Sequence, residues 1–296
     1  MDSKVTIIGG TGFIGNQLVG TLIERGAAVR IVSRRAERDR AAAPPIERVV
    51  GSIDQQSTID RAIGDAFAVI NLVGTTSARS EQEFYSLHRD TPRRLAGAAR
   101  QAGVERFIHV SAMGIALDAP SIADRSKAAG EIAVREAFAD ATLIRPALVY
   151  GRGDHFFTRF GALVRNAPVI PLIGGGRTRF QPMHVCDVAE AIARMLERPD
   201  TAGRTFELGG NEILTLRELI EALCRSMQRR PWLVPIPFPL AEAGAYVTQS
   251  LPHPPLSVDQ VRLLKTDKVI TDPAAAPAAL GVHPRPLEAF LAELTR

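Results

Sequence analysis

Apolar residues in the first half of the chain follow two alternating periods. Val5, Thr6, Ile7 and Ile8 make an unbroken, largely β-branched run, which suits a strand covered on both faces. Phe13, Ile14, Leu18, Leu22 and Ile23 then recur at helical spacing. The alternation continues, with strands predicted over 28–33, 49–50, 66–73, 106–110 and 141–148, the last closing at 149–151. Helices are predicted between them over 59–63, 81–102 and 123–138, and Pro92 marks a kink or break in the second of these. Strands alternating with helices at this spacing pair in parallel through right-handed crossovers. The fold class is therefore α/β, with a doubly wound parallel sheet.

After residue 151 the pattern loosens. A helix is expected over 154–166, and Gly174, Gly175 and Gly176 read as a mobile loop. A helix over 188–196, opened by Asp187, has the apolar spacing to return to the sheet, and 205–208 adds a short strand. Thr215 and Glu218 stand three residues apart at the start of an apolar-periodic stretch, a capping box for a helix over 215–227. Residues 272–279 form a loop by composition. The expected organisation is one unit over 1–150, to which 183–208 returns, and a smaller C-terminal α/β lid unit from 151–182 and 209–296 that faces a substrate or partner.

The candidate chemistry begins in the turn between the first strand and the first helix, GGTGFIG. Gly9 allows a tight turn, Gly12 lets the backbone approach a pyrophosphate, and Gly15 lets the helix pack close to the strand. The first helical N–H groups, at Phe13 and Ile14, face the anion. This is the fingerprint of a dinucleotide-binding Rossmann fold, in the spacing G-x-x-G-x-x-G. An NAD-preferring site usually places an acid at the end of the second strand to hold the ribose 2′-hydroxyl. Here stand Ser33, Arg34 and Arg35, with no acid before Glu37, so the 2′-phosphate of NADP(H) fits better than NAD(H). Ser52 and Ile53 follow the third strand where an adenine edge would lie. Residues 71–75, with Leu72, Val73 and Gly74, close the fourth strand beside the cofactor. Pro146 and Val149 fall near the nicotinamide end.

Composition narrows the partners. The 296 residues are 46% hydrophobic and 23% charged, enough to bury a sizeable core. A net charge of +4 and 5% aromatic residues argue against nucleic acid. Cys186 and Cys224 lack metal-ligand spacing, and His184 two residues before Cys186 is too small a fragment for a metal site; two reduced, buried thiols are expected. Residues 1–4 lead straight into the first strand, so a cytoplasmic setting without a targeting segment is expected. No run of eighteen apolar residues spans a membrane; the nearest approach, 231–251, is broken by four prolines. That stretch faces the core, a partner or a membrane surface.

GGTGFIG, SRR, INLVG, RFIHVSA, SKAAGE, LIRPALVYG and FELGG together resemble the extended and atypical short-chain dehydrogenase/reductases, over nearly the whole chain. DHFFTRF, PLIGGGRTRFQP and SVDQVRLLKTDKV resemble, more narrowly, the NAD(P)H-binding accessory subunit of respiratory complex I and its bacterial relatives. The resemblance implies Ser111 as the helper serine and Lys127 as the lysine that holds the nicotinamide ribose. It also implies a tyrosine one helical turn before that lysine, whose phenol exchanges a proton with substrate; this chain has Ala123 there, and a methyl group moves no proton. No catalytic residue is therefore assigned with Ser111 and Lys127. Tyr150 reads as packing, His109 as a strand filler, and Asp124 lies on another helical face. One reading is a non-catalytic or weakly catalytic NADP(H)-binding subunit, bound to a respiratory complex or peripherally on the cytoplasmic face of the inner membrane. The others are an oxidoreductase or epimerase for an apolar substrate such as a quinone or isoprenoid precursor, and a nucleotide-sensing regulator.

Overall fold

The computed structural model describes residues 4–34, 46–249 and 256–294. Its strands are β1 (Lys4–Ile8), β2 (Ala28–Ser33), β3 (Ile46–Val50), β4 (Ala68–Asn71), β5 (Arg106–Val110), β6 (Thr142–Pro146), β7 (Val149–Tyr150), β8 (Val169–Ile173), β9 (Arg179–Phe180), β10 (Met183–His184), β11 (Thr205–Leu208), β12 (Leu214–Thr215) and β13 (Trp232–Ile236). Its helices are α1 (Phe13–Glu24), α2 (Gln56–Ile63), α3 (Glu81–Tyr85), α4 (Thr91–Gln101), α5 (Ile122–Ala137), α6 (His155–Asn166), α7 (Val185–Glu197), α8 (Leu216–Ser226), α9 (Phe238–Thr248), α10 (Val258–Leu263) and α11 (Leu287–Glu293).

Seven of the described strands form one parallel sheet in the order β11-β6-β5-β4-β1-β2-β3. The order reverses between β1 and β4, and an open sheet has its crevice at such a switch point, outside the carboxyl ends of the strands. Both faces are covered. Leu18 and Leu22 of α1 and Val188, Ile192 and Met195 of α7 pack with Val5, Ile7 and Ile31 on one face. Ile59 of α2, Leu95 of α4 and Val134 of α5 pack with Ile8, Val69 and Phe107 on the other. Strands buried on both sides need no polar alternation, which is why β1 and β4 read as continuous apolar runs.

A third cluster, outside the sheet, joins Tyr150, Phe157, Leu219, Leu223 and Phe290. The Thr215 and Glu218 capping box is present on α8, and Asp154 caps α6 through its side chain. The break expected at Pro92 is present: the stretch 81–102 runs as α3, a π-helical turn over Ser86–Asp90 and α4, with the proline in the first turn of α4. Two expectations need correction. The helix expected from 188 begins at Val185, because His184 Nδ1 accepts the Cys186 N–H and serves as its cap. Gly174, Gly175 and Gly176 form a short 3-10 turn instead of an open loop. Gly174 lies against the Phe238 ring, and Gly176 is buried against Arg217.

Candidate nucleotide site

The turn between β1 and α1 is held by its own backbone. Gly9 has φ 87°, a left-handed conformation that favours glycine, and its carbonyl accepts the Gly12 N–H at 3.0 Å. A Cβ on Gly10 would stand 2.6 Å from Ile31 Cγ2, and one on Gly15 would stand 2.7 Å from the Gly10 carbonyl carbon. Both glycines are therefore filled by the protein itself. Gly12 differs: a Cβ there would meet Gly9 O at 3.2 Å and nothing else within 4 Å. The helix N-terminus opened by Gly12, with Phe13 and Ile14 in its first turn, thus keeps an open cradle of the kind an anion fills.

Other expected positions line the same edge of the sheet. Leu72 approaches Gly9, and its N–H donates to Ile8 O at 2.9 Å. Val73 N–H donates to Asn71 Oδ1 at 3.2 Å, which turns Asn71 Nδ2 toward His109 Nδ1 at 3.0 Å. His109 is thus an acceptor at Nδ1, and burial, with Lys127 adding to it, holds its pKa down to about 4. Thr75, just past Gly74, donates its N–H to His88 Nε2 at 3.1 Å. That bond puts the proton of His88 on Nδ1, which donates to Ser126 Oγ at 2.8 Å, and Ser126 in turn donates to Ala123 O. Burial, followed by the charge of Lys127, brings His88 to about 3. Both histidines are neutral ties, His109 between β5 and β4 and His88 between the loop of Thr75 and α5, and neither replaces the missing phenol.

At the adenine end, Ser52 Oγ donates to Asp54 Oδ2 at 2.8 Å. Arg94 donates to Ile53 O and Asp54 O, both at 3.2 Å. Ser33 closes β2 opposite Val50, and Arg34 next to it is exposed. Arg35 lies outside the described residues. At the other end, Pro146 closes β6 and its carbonyl accepts the Met113 N–H at 3.0 Å, while Val149 pairs with Met183 beyond it.

Ser111 follows β5, and its Oγ is buried with no hydrogen-bond partner. An orphaned buried hydroxyl costs roughly 1–3 kcal/mol, so it fits a ligand oxygen that completes it. Lys127 lies one turn past Ala123 on α5. Burial pushes its ammonium down, Asp124 counters, and Lys268 adds to the fall. Tyr150 is buried, donates to Arg285 O at 3.1 Å, and is pushed far above the usual phenol range by burial first, then Asp187. It is packing, as its sequence position suggested.

The first turn of α5 is closed over by the C-terminal part of the chain. Ala123 is 0% exposed. The Asp259 carboxylate accepts the N–H groups of Ile122 at 2.5 Å and Ala123 at 3.1 Å. Lys268 Nζ pairs with Asp124 at 2.8 Å, and a Cβ on Gly114 would stand 2.5 Å from Asp267 O. Asp259 and Lys268 stand within SVDQVRLLKTDKV, but the motif does not say that they reach α5, and His88 and Arg94 stand in none of the quoted motifs; each acts across the fold on another element. Cys186 and Cys224 are free thiols, and among the described residues no group of three or more His, Cys, Asp or Glu could hold a metal ion.

Residues 5–209 match the model of the NAD dependent epimerase/dehydratase family. The NADH dehydrogenase [ubiquinone] 1 alpha subcomplex subunit 9 of Arabidopsis thaliana mitochondria is 32% identical, over 97% of this chain and 76% of its own length. The ceramide reductase of Caulobacter vibrioides is also 32% identical, over 94% of this chain and 88% of its own. The NAD complex of UDP-glucose 4-epimerase from Thermus thermophilus superposes with a TM-score of 0.74 at 21% identity, covering 98% of this chain and 96% of that one, which is a likeness of fold. With its glycine turn beside the switch point of a parallel sheet, the chain belongs to the NAD dependent epimerase/dehydratase family.

Proposed function

We propose that this chain binds NADP(H) without acting as an ordinary dehydrogenase and serves as an accessory subunit of a respiratory NADH dehydrogenase assembly. The observation that carries the reading is Ala123, fully covered by its own chain where a proton donor is needed, beside a serine and a lysine suited to binding. The mitochondrial relatives, named as subunits of such an assembly, support the role.

Gly12 gives the pyrophosphate close approach and the first-turn N–H groups of α1 at Phe13 and Ile14 face it, while Gly9 and Gly15 shape the turn. Ser33, Arg34 and Arg35 take the 2′-phosphate, and Ser52 and Ile53 border the adenine. Leu72, Val73 and Gly74 flank the nicotinamide half with Pro146 and Val149, while Ser111 and Lys127 donate to its ribose and amide. The cofactor, when bound, would supply a hydride; the protein supplies no phenol to accompany it. Binding instead contributes stability by mass action, about 2.7 kcal/mol at a hundredfold excess over Kd.

In this reading 1–150 with 183–208 is the nucleotide-binding unit, and 151–182 with 209–296 meets the partner. The partner surface is the β13–α9 face. Trp232, Leu240, Tyr246 and Val247 are 77%, 63%, 66% and 76% exposed, and only Ala245 of α9 is buried. Such a patch marks an interaction surface, here a subunit of the assembly or the membrane it sits on. Among the described residues no helix is long and apolar enough to cross a membrane, and this reading takes the association as peripheral.

A second reading, a reductase for an apolar carbonyl substrate, is favoured by the ceramide reductase at the same identity. Two assays separate them. The purified protein is tested for NADPH oxidation against carbonyls, quinones and long-chain ketones, and the native protein is followed through solubilised membranes. Turnover below about 1 per second with co-migration in a large assembly is expected; ordinary turnover by a free protein overturns the subunit reading.

A further inference from the structure

Helices α9 and α10 form a small lobe of their own. Its buried apolar core is Ile173 of β8, Ala245 of α9 and Val261 of α10, with Phe238, Leu256 and Val258 partly covered around it. Leu264 also packs on the neighbouring cluster of Tyr150 and Leu219. On its outer side the lobe is tied by Glu242 of α9, which pairs with Arg262 at 3.1 Å and Lys265 at 2.5 Å. On its inner side it reaches the first turn of α5 through polar bonds, Asp259 to the N–H groups of Ile122 and Ala123, and just beyond the lobe Lys268 to Asp124. A unit with so small an apolar core opens at a lower free energy than the whole protein. Its docking on α5 rests on the Asp259 carboxylate-to-backbone bonds, which exist only while the first turn of α5 is in place, while Thr178 Oγ1 donates to Leu264 O from the other side.

That turn lies beside Lys127, one helical turn away, and near the loop of Ser111, since Gly114 of the same loop touches Asp267. We propose that the α9–α10 lobe is a two-state element held docked by nucleotide at the Ser111–Lys127 site, so that nucleotide occupancy and docking of the lobe are thermodynamically linked. The proposal rests on the nucleotide-binding reading above. Nucleotide that fixes α5 favours the docked lobe, and by reciprocity docking of the lobe tightens nucleotide binding by the same factor.

The test is amide hydrogen exchange of the full chain with and without saturating NADPH, with binding measured separately by calorimetry. In the parent, NADPH is expected to slow exchange across 238–248 and 258–263 severalfold. Asp259→Ala should keep NADPH binding but lose most of that slowing. Should Asp259→Ala fail to fold, Glu242→Gln decides. It leaves α10 on α5 but loosens α9, so the slowing should persist in 258–263 and fall in 238–248. NADPH that binds while exchange in both helices is unchanged, or equal slowing in parent and variant, overturns the linkage and leaves the binding reading intact. NADPH that does not bind the parent overturns both.

Discussion

The glycine turn allows binding and folding to be separated at two positions three residues apart. A side chain on Gly15 would press into the turn, with its Cβ 2.7 Å from both the carbonyl carbon and the Cα of Gly10. Neither backbone can retreat without moving α1 off β1, so Gly15→Ala carries an overpacking cost of about 1–3 kcal/mol. At Gly12 the valine Cβ meets only Gly9 O at 3.2 Å, from a φ of −80° that valine adopts freely; the folding cost is about 1 kcal/mol, mainly the poorer helix cap. Over 296 residues an unfolding entropy of about 2.1 cal/mol/K per residue gives about 0.6 kcal/mol/K, so each kcal/mol moves Tm by about 1.6 °C. Gly15→Ala should therefore melt about 2–5 °C low without nucleotide. Gly12→Val should melt within about 2 °C of the parent, yet lose the rise of about 4 °C that a hundredfold excess of NADPH gives the parent. Thermal melts with and without NADPH measure all four quantities. A Gly12→Val protein that keeps the full nucleotide shift would show the pyrophosphate lies elsewhere, and an unaffected Gly15→Ala would refute the packing argument.

Further outcomes are expected. Arg34→Ala should shrink the preference for NADPH over NADH by about tenfold or more, since a charge-assisted hydrogen bond contributes about 1.5–3 kcal/mol; equal binding of both nucleotides by the parent, read by calorimetry, would remove the basis for that role. Ala123→Tyr restores a phenol one turn from Lys127, but into a site with 0% exposure. The variant should lose about 1–3 kcal/mol in urea unfolding and gain no NADPH oxidation, and a stable, active variant would contradict the closure of that turn by Asp259 and Lys268. Stability should fall as pH drops from 6.5 toward 4, because His88, at about 3 when folded against 6.5 unfolded, binds its proton only on unfolding in that range. Above 6.5 its contribution is fully present. His88→Asn should flatten the slope by up to about 1.4 kcal/mol per pH unit, and an unchanged slope in urea titrations from pH 4 to 6.5 would show the ring is not held neutral.

The sequence by itself determined the parallel sheet and its phosphate-facing turn, because both are written in local periods. Buried β-branched runs, helical spacing and glycines at three-residue intervals constrain only neighbouring backbone, and β1, α1 and Gly9 follow them directly. Capping was legible for the same reason at Thr215 and Glu218. The identity of residue 123 showed that the phenol is missing, but not that its place is sealed. That sealing was decided by tertiary structure, since Asp259 and Lys268 reach α5 from 136 and 144 residues away in sequence. The same holds for His88 and Arg94, whose bonds to Thr75 and Ile53 cross between separate helices and loops. It holds also for 231–251, where apolar composition fits core and surface equally well. There the placement of β13 on β8 leaves Trp232 exposed, and α9 turns Ala245 inward with Phe238 and Ala241 beside it while Leu240, Tyr246 and Val247 face out. A local pattern fixes which face of an element is apolar, whereas what covers that face depends on the rest of the chain.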